Sequence, residues 1–128
     1  MKSEVGLWID HREAIVVFMR DGVEETKRIE SGVEKRVRFS GGNESEEGSA
    51  DDQRDRRFAA HLTRYYDDVI SRIRDAESIF LFGPGEAKGE LGKRLAAKRL
   101  GGRIAATETV DKMTTPQIAA KVREYFKK

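Results

Sequence analysis

Cysteine is absent from the 128 residues, and with it go zinc-thiolate centres, disulfides, thiol nucleophiles and thiol redox chemistry. Long apolar runs are missing too. The longest, Ala14 to Met19, falls far short of a membrane span, and no signal-peptide core follows Met1-Lys2. A strong charge imbalance is also lacking: 25 Lys plus Arg stand against 23 Asp plus Glu, a net +2. Total charge therefore does not argue for nucleic-acid binding, and the distribution of charge has to carry that question. What is present suffices for one domain. A chain of this length buries roughly two thirds of its unfolded surface and needs no metal or disulfide staple. These absences point to a soluble, cytoplasmic protein with no membrane partner.

Glu4 to Asp10 places Leu7 and Ile9 in alternation and stops at the polar cluster Asp10-His11-Arg12-Glu13, the pattern of a strand entering a turn. Ala14 to Met19 is short and β-branched, and Asp21-Gly22 closes it with a dipeptide suited to a tight hairpin. Val23 to Glu30 and Val33 to Phe39 are polar strands around Ser31-Gly32, either one bent strand or two short ones. Ser40 to Asp52, with Glu44, Glu46, Glu47, Asp51 and Asp52 and little to bury, predicts a flexible acidic loop. From about Gln53 to Asp75, Phe58, Leu62, Tyr65, Val69 and Ile73 form one face of a long helix. His61 sits at the edge of that face.

Ser78 to Phe82 has no polar alternation, as a strand covered on both faces requires. Gly83-Pro84-Gly85 breaks it. Ala87, Leu91, Leu95 and Lys98 then share a helical stripe, which Gly101-Gly102 should terminate. Arg103 to Thr107 is a further strand. Thr114 or Thr115 caps a last helix with Pro116 in its first turn, and Ile118, Val122 and Phe126 form its buried stripe. Strands then helices alternating with strands make a mixed five-stranded α/β sheet with helices on its faces.

Three constellations carry candidate chemistry. Gly83, Gly85 and Lys88 lie where a strand turns into a helix, a place that either cradles a phosphate or simply needs small residues for a tight turn. Neither a Walker loop nor a dinucleotide fingerprint has this spacing. Asp10 and Glu13, with His11 between them, could hold Mg²⁺ for phosphodiester hydrolysis, or form an ordinary solvated turn; no further carboxylates complete a metal set. Basic residues are the third group. Lys35, Arg36 and Arg38 precede the acidic stretch, and Arg54, Arg56, Arg57 and Arg64 load the first half of the long helix. A further set, Lys88, Lys93, Arg94, Lys98, Arg99 and Arg103, outnumbers Glu86 and Glu90 around the second helix. Clusters of this kind contact phosphates, though cations on solvated helix faces are common.

Gln53-Arg54-Asp55-Arg56-Arg57-Phe58, the strand-turn Asp10-His11-Arg12-Glu13-Ala14 and the stretch from Phe80 through Gly83-Pro84-Gly85 and Lys88 to Leu91 together resemble the middle domain of archaeal and eukaryotic class-1 peptide chain release factors and of Pelota. The resemblance covers most of the chain. It implies a three-layer ribonuclease-H-like fold with sheet order 3-2-1-4-5, strand 2 antiparallel, and helices on both faces. Release factors of this kind carry Gly-Gly-Gln just before the long helix for peptidyl-tRNA hydrolysis. Here Gln53 stands at the matching distance behind Asp51 and Asp52, while Gly41-Gly42 is followed by Asn43. Pelota also lacks the tripeptide. The resemblance thus implies a non-catalytic, translation-associated module that binds RNA (tRNA or rRNA) or the ribosome through Lys35, Arg36, Arg38, Arg54, Arg56, Arg57 and Arg64, with no cofactor and no metal. The alternatives are a peptidyl-tRNA hydrolase using Gln53, a metal-dependent nuclease at Asp10 and Glu13, or a protein-interaction domain.

Overall fold

A computed structural model of the chain describes residues 3–32 and 48–127, with side chains from 56 onward in the second segment. The expected strand from Val33 to Phe39, the first part of the expected acidic loop, and the candidates Lys35, Arg36 and Arg38 lie outside the described residues. Five strands, β1 (Ser3–Ile9), β2 (Glu13–Arg20), β3 (Val23–Glu30), β4 (Ser78–Gly83) and β5 (Ile104–Thr109), form one sheet in the order β3-β2-β1-β4-β5. β2 runs antiparallel to both its neighbours, whereas β1, β4 and β5 are mutually parallel. Three α-helices lie among the described residues: α1 (Gly48–Ile73), α2 (Ala87–Ala97) and α3 (Thr115–Phe126). This is the three-layer ribonuclease-H-like arrangement, with strand order and the single reversed strand as expected.

Alternation along the strands builds two cores. Val5, Leu7, Ile9, Val16, Ile79 and Leu81 face α1 and α2, where Leu62, Tyr65, Val69, Ile73, Leu91 and Leu95 meet them. Trp8, Ile15, Val17, Phe80 and Phe82 face the other way, against Ile118, Ala119 and Val122 of α3. Two covered faces explain why β2 and β4 read as unbroken apolar runs. Gly6 stands on the α3 face. A Cβ there would lie 2.3 Å from Cγ2 of Val122, so the absence of a side chain is what lets α3 seat against β1.

The ends of the elements follow local chemistry, with two departures from expectation. Asp21 (φ 52°) and Gly22 (φ 78°) make the hairpin between β2 and β3 with both residues left-handed, as a type I′ turn needs. Thr114 caps α3: its Oγ1 accepts from Gln117 N at 3.3 Å, and Gln117 Oε1 accepts from Thr114 N at 3.0 Å. However, α1 begins at Gly48, so residues 48–52 are helical rather than the tail of a loop. Asp51 and Asp52 then fall near a helix N-terminus, where the helix dipole favours carboxylates.

The second departure is the end of α2. Arg99 N donates to Ala96 O at 2.9 Å and Leu100 N to Leu95 O at 2.8 Å, the paired bonds of a Schellman turn. The left-handed residue of that turn is Arg99 (φ 65°), and neither Gly101 nor Gly102 has a positive φ. Lys98 is exposed, and Lys88 is the lysine that α2 buries.

Candidate functional site

β1 and β4 lie side by side, but the chain leaves them in opposite directions across the sheet. Ligand crevices in parallel sheets form at the carboxyl ends of such a strand pair. A shallow cavity of about 480 Å³ opens there, lined by Asp10, His11, Arg12, Pro84, Gly85, Glu86 and Ala87. Its floor is set by close backbone approach: Gly83 has φ 151°, and a Cβ on it would lie 2.3 Å from Ile9 O. The candidate phosphate residues Gly83, Gly85 and Lys88 are thus together. Lys88 is buried, however, and its Nζ donates to Gly85 O at 2.6 Å, so the ammonium braces the turn from inside. Glu86, at the N-cap of α2, makes no capping bond and is exposed.

Asp10 shapes the opposite wall. Its Oδ1 accepts from Arg12 N at 2.8 Å and Glu13 N at 2.9 Å, an Asx turn that links β1 to β2. Tyr65 of α1 donates its hydroxyl to Asp10 O at 3.0 Å. Glu13 turns away to Arg28 of β3, with Oε1 2.5 Å from Nη2. The two candidate carboxylates are therefore engaged in separate local structures. No group of three or more His, Asp or Glu residues suited to a metal ion exists among the described residues.

Behind the crevice runs a network that joins three elements. Glu90 Oε1 of α2 accepts the Tyr66 hydroxyl of α1 at 2.5 Å and lies 3.1 Å from His11 Nε2, while the His11 ring meets Phe58 edge-on at 6.2 Å. Burial, followed by the bond to Glu90, pushes the Tyr66 phenol well above its ordinary value, and burial with the Asp10 charge does the same to Tyr65. Both stay protonated donors. His61 Nε2 donates to Ser31 O at 2.6 Å, and Ser31 Oγ donates to His11 O at 2.7 Å, so α1 also grips the segment leaving β3.

Four of the basic candidates, Arg54, Arg56, Arg57 and Arg64, lie on α1. Gln53 and Arg54 lie in its second turn, outside the described side chains. Arg56, Arg57 and Arg64 are exposed, with no hydrogen-bond or ion-pair partner among the described residues. Arg57 and Arg64 are two turns apart on the stripe opposite the core, and Arg56 flanks them. Further along, charge is matched instead. Arg72 pairs with Asp68 at 3.3 Å, and Asp67 takes a two-pronged bond from Arg94 at 2.7 and 2.9 Å, which holds its carboxyl below the usual range. The outward arginines are thus confined, among these, to the half of α1 nearest the crevice.

Sequence patterns did not single out Tyr66, and they gave Glu90 and Arg99 only as members of the charged set around the second helix. The adjacent tyrosines 65 and 66, both inside an apolar stripe, were the available signal for buried hydroxyls seeking acceptors.

No protein-family profile matches the sequence, and no curated protein does. Solved structures match in fold. Pelota of Thermoplasma acidophilum superposes with a TM-score of 0.61 at 14% identity, over 96% of this chain and 32% of that protein. Archaeoglobus fulgidus Pelota gives 0.58 at 12%, over 97% of this chain and 31% of the other. The archaeal translation termination factor aRF1 gives 0.54 at 12%, over 98% and 40%. The chain spans about a third of the length of these proteins, and what it shares with them is the fold. No helix among the described residues is long and apolar enough to cross a membrane.

Proposed function

We propose that this chain is a single-domain, non-catalytic module of the translation apparatus, acting in the cytoplasm by binding RNA or the ribosome. The observation that carries the reading is the set Arg56, Arg57 and Arg64, exposed and without a carboxylate partner among the described residues, at the head of the long helix of a fold found in Pelota and aRF1. Guanidinium groups placed along about 12 Å of helix suit successive phosphates. Lys35, Arg36, Arg38 and Arg54 add further positive charge for the same partner in this proposal. Gln53 follows two aspartates rather than two glycines. Carboxylates next to a catalytic glutamine would be repelled by RNA phosphates, which favours binding over hydrolysis.

The test is cosedimentation with purified ribosomes across a salt series. Wild-type binding should fall steeply with salt, and Arg56, Arg57 and Arg64 changed together to Ala should lower the slope of log affinity against log salt by about 2. Unchanged affinity and slope in the triple variant would end the proposal.

A further inference from the structure

The end of α2 places an arginine where the backbone favours glycine. Arg99 is the left-handed residue of a complete Schellman turn, and Leu100 packs into the core as that motif requires. An L side chain is disfavoured at φ 65°, and glycine is not. The two glycines that follow do not take the position. Gly101 serves contact instead: a Cβ on it would lie 3.2 Å from Ala96 Cα. An unfavourable backbone state is therefore occupied by a side chain that is exposed and has no partner among the described residues.

Arg99 is not isolated. Its turn leads directly into Arg103, whose Nη1 donates to the carbonyls of Arg74 and, at 3.2 Å, of Ala76. Those carbonyls belong to the turn between α1 and β4, so Arg103 is tied beside Arg74. The Arg74 side chain is itself exposed, with no partner among the described residues. Arg74, at the end of α1, and Arg103, just ahead of β5, thus meet at the amino edge of the parallel strands, and Arg99 stands four residues before Arg103 in the turn that leaves α2. Asp75 and Glu77 share that turn, and their backbone groups bond Ser3 of β1, on the side away from β5.

We infer that Arg74, Arg99 and Arg103 form a second phosphate-contact surface, so that RNA is held at both ends of α1. The inference rests on the RNA-binding reading above and adds to it the extent of the partner. Arg57 and Arg74 are seventeen residues apart on and just beyond one helix, about 25 Å. One phosphate group or a small nucleotide does not span that distance. An RNA of several nucleotides does, either as one strand or as a folded chain with phosphates on neighbouring strands.

The discriminating variant is Arg99→Gly, because it improves the backbone while deleting the charge. A purely structural residue would move stability alone. Using purified ribosomes and the full chain, Arg99→Gly should raise Tm by about 2 °C, weaken binding about fivefold at moderate salt, and lower the salt slope by about 0.8. Arg99→Lys should keep the slope of the wild type. If Arg99→Gly raises Tm and leaves affinity and slope unchanged, the second surface is refuted, while the α1 reading stands as long as the Arg56, Arg57 and Arg64 variant loses binding. Failure of Arg99→Gly to raise Tm would also overturn the inference, since its premise is the disfavoured backbone. If the wild type does not bind ribosomes, both fall together.

Discussion

Gly6→Ala tests how α3 is held on the sheet. The new methyl carbon would stand 2.3 Å from Cγ2, 2.7 Å from Cγ1 and 3.0 Å from Cβ of Val122, a side chain with no exposed surface. Carbon atoms pack at about 3.5–4.0 Å, so Val122 must move by more than its own rotamers allow, and α3 must shift with it. Overpacking of this kind costs about 3 kcal/mol at the upper end of the observed range, and replacing glycine in a strand returns about 0.5–1 kcal/mol of chain entropy. The expected net loss is about 2 kcal/mol, or about 8 °C in Tm for a domain of this size. Val122→Ala alone removes two buried methyl groups and should cost about 2 kcal/mol. In the double variant the methyl group added at position 6 enters the volume that the two Val122 methyls vacate and only the 3.0 Å approach to Cβ remains, so Gly6→Ala should cost about 1 kcal/mol in that background, a coupling of about 1 kcal/mol. Urea unfolding followed by fluorescence of Trp8 reads all three variants. Trp8 is the sole tryptophan, it packs beneath α3, and its indole N–H has no acceptor among the described residues. Strictly additive losses would refute the close seating of α3 on Gly6.

Two further perturbations concern the polar ties. Tyr66→Phe removes a donor to the Glu90 carboxylate and should cost about 1.5–3 kcal/mol by urea unfolding. Both phenols are raised in the folded protein, so their unfolded counterparts ionise first. Stability should therefore be intact below about pH 10 and decline above it, with a shallower decline in Tyr66→Phe. An identical alkaline slope in that variant would contradict the assignment. Asp67 is held below its ordinary 3.8 by the Arg94 bond. Its stabilisation should be present above about pH 4 and be lost as pH falls further, and Asp67→Asn should flatten that part of a urea-midpoint profile. The pair is about one third exposed, so added salt should shrink the difference.

Local chemistry made much of the fold legible. Asp21-Gly22 could close only a tight hairpin, Ser78 to Phe82 had to be covered on both faces, and Thr114 with Gln117 could serve as a capping box. The departures arose where distant contacts outweighed local preference. Arg99 is left-handed because the Leu100 to Leu95 bond and the seating of Leu100 fix the chain there, ahead of the glycines that suggested the stop. Lys88 is buried because a carbonyl three residues away satisfies its ammonium while its stem lies along apolar surface. His11, Tyr66 and Glu90 are far apart in the chain, and no spacing rule could unite them. The same applies to Arg74 and Arg103, which meet only because β4 and β5 are neighbours.

The central position of β1 has a consequence for biosynthesis. β1 is translated first, yet it is flanked on one side by β4, whose Leu81 pairs with Leu7 across more than half of the chain. Until Ser78 to Gly83 have been made, the β1-β2-β3 meander carries an unpaired edge on what will be its middle strand, and Trp8, Ile15 and Val17 lack the helix that later shields them. Nascent polypeptide of this design is thus most adhesive after β3 has been made and before β4 and α3 follow.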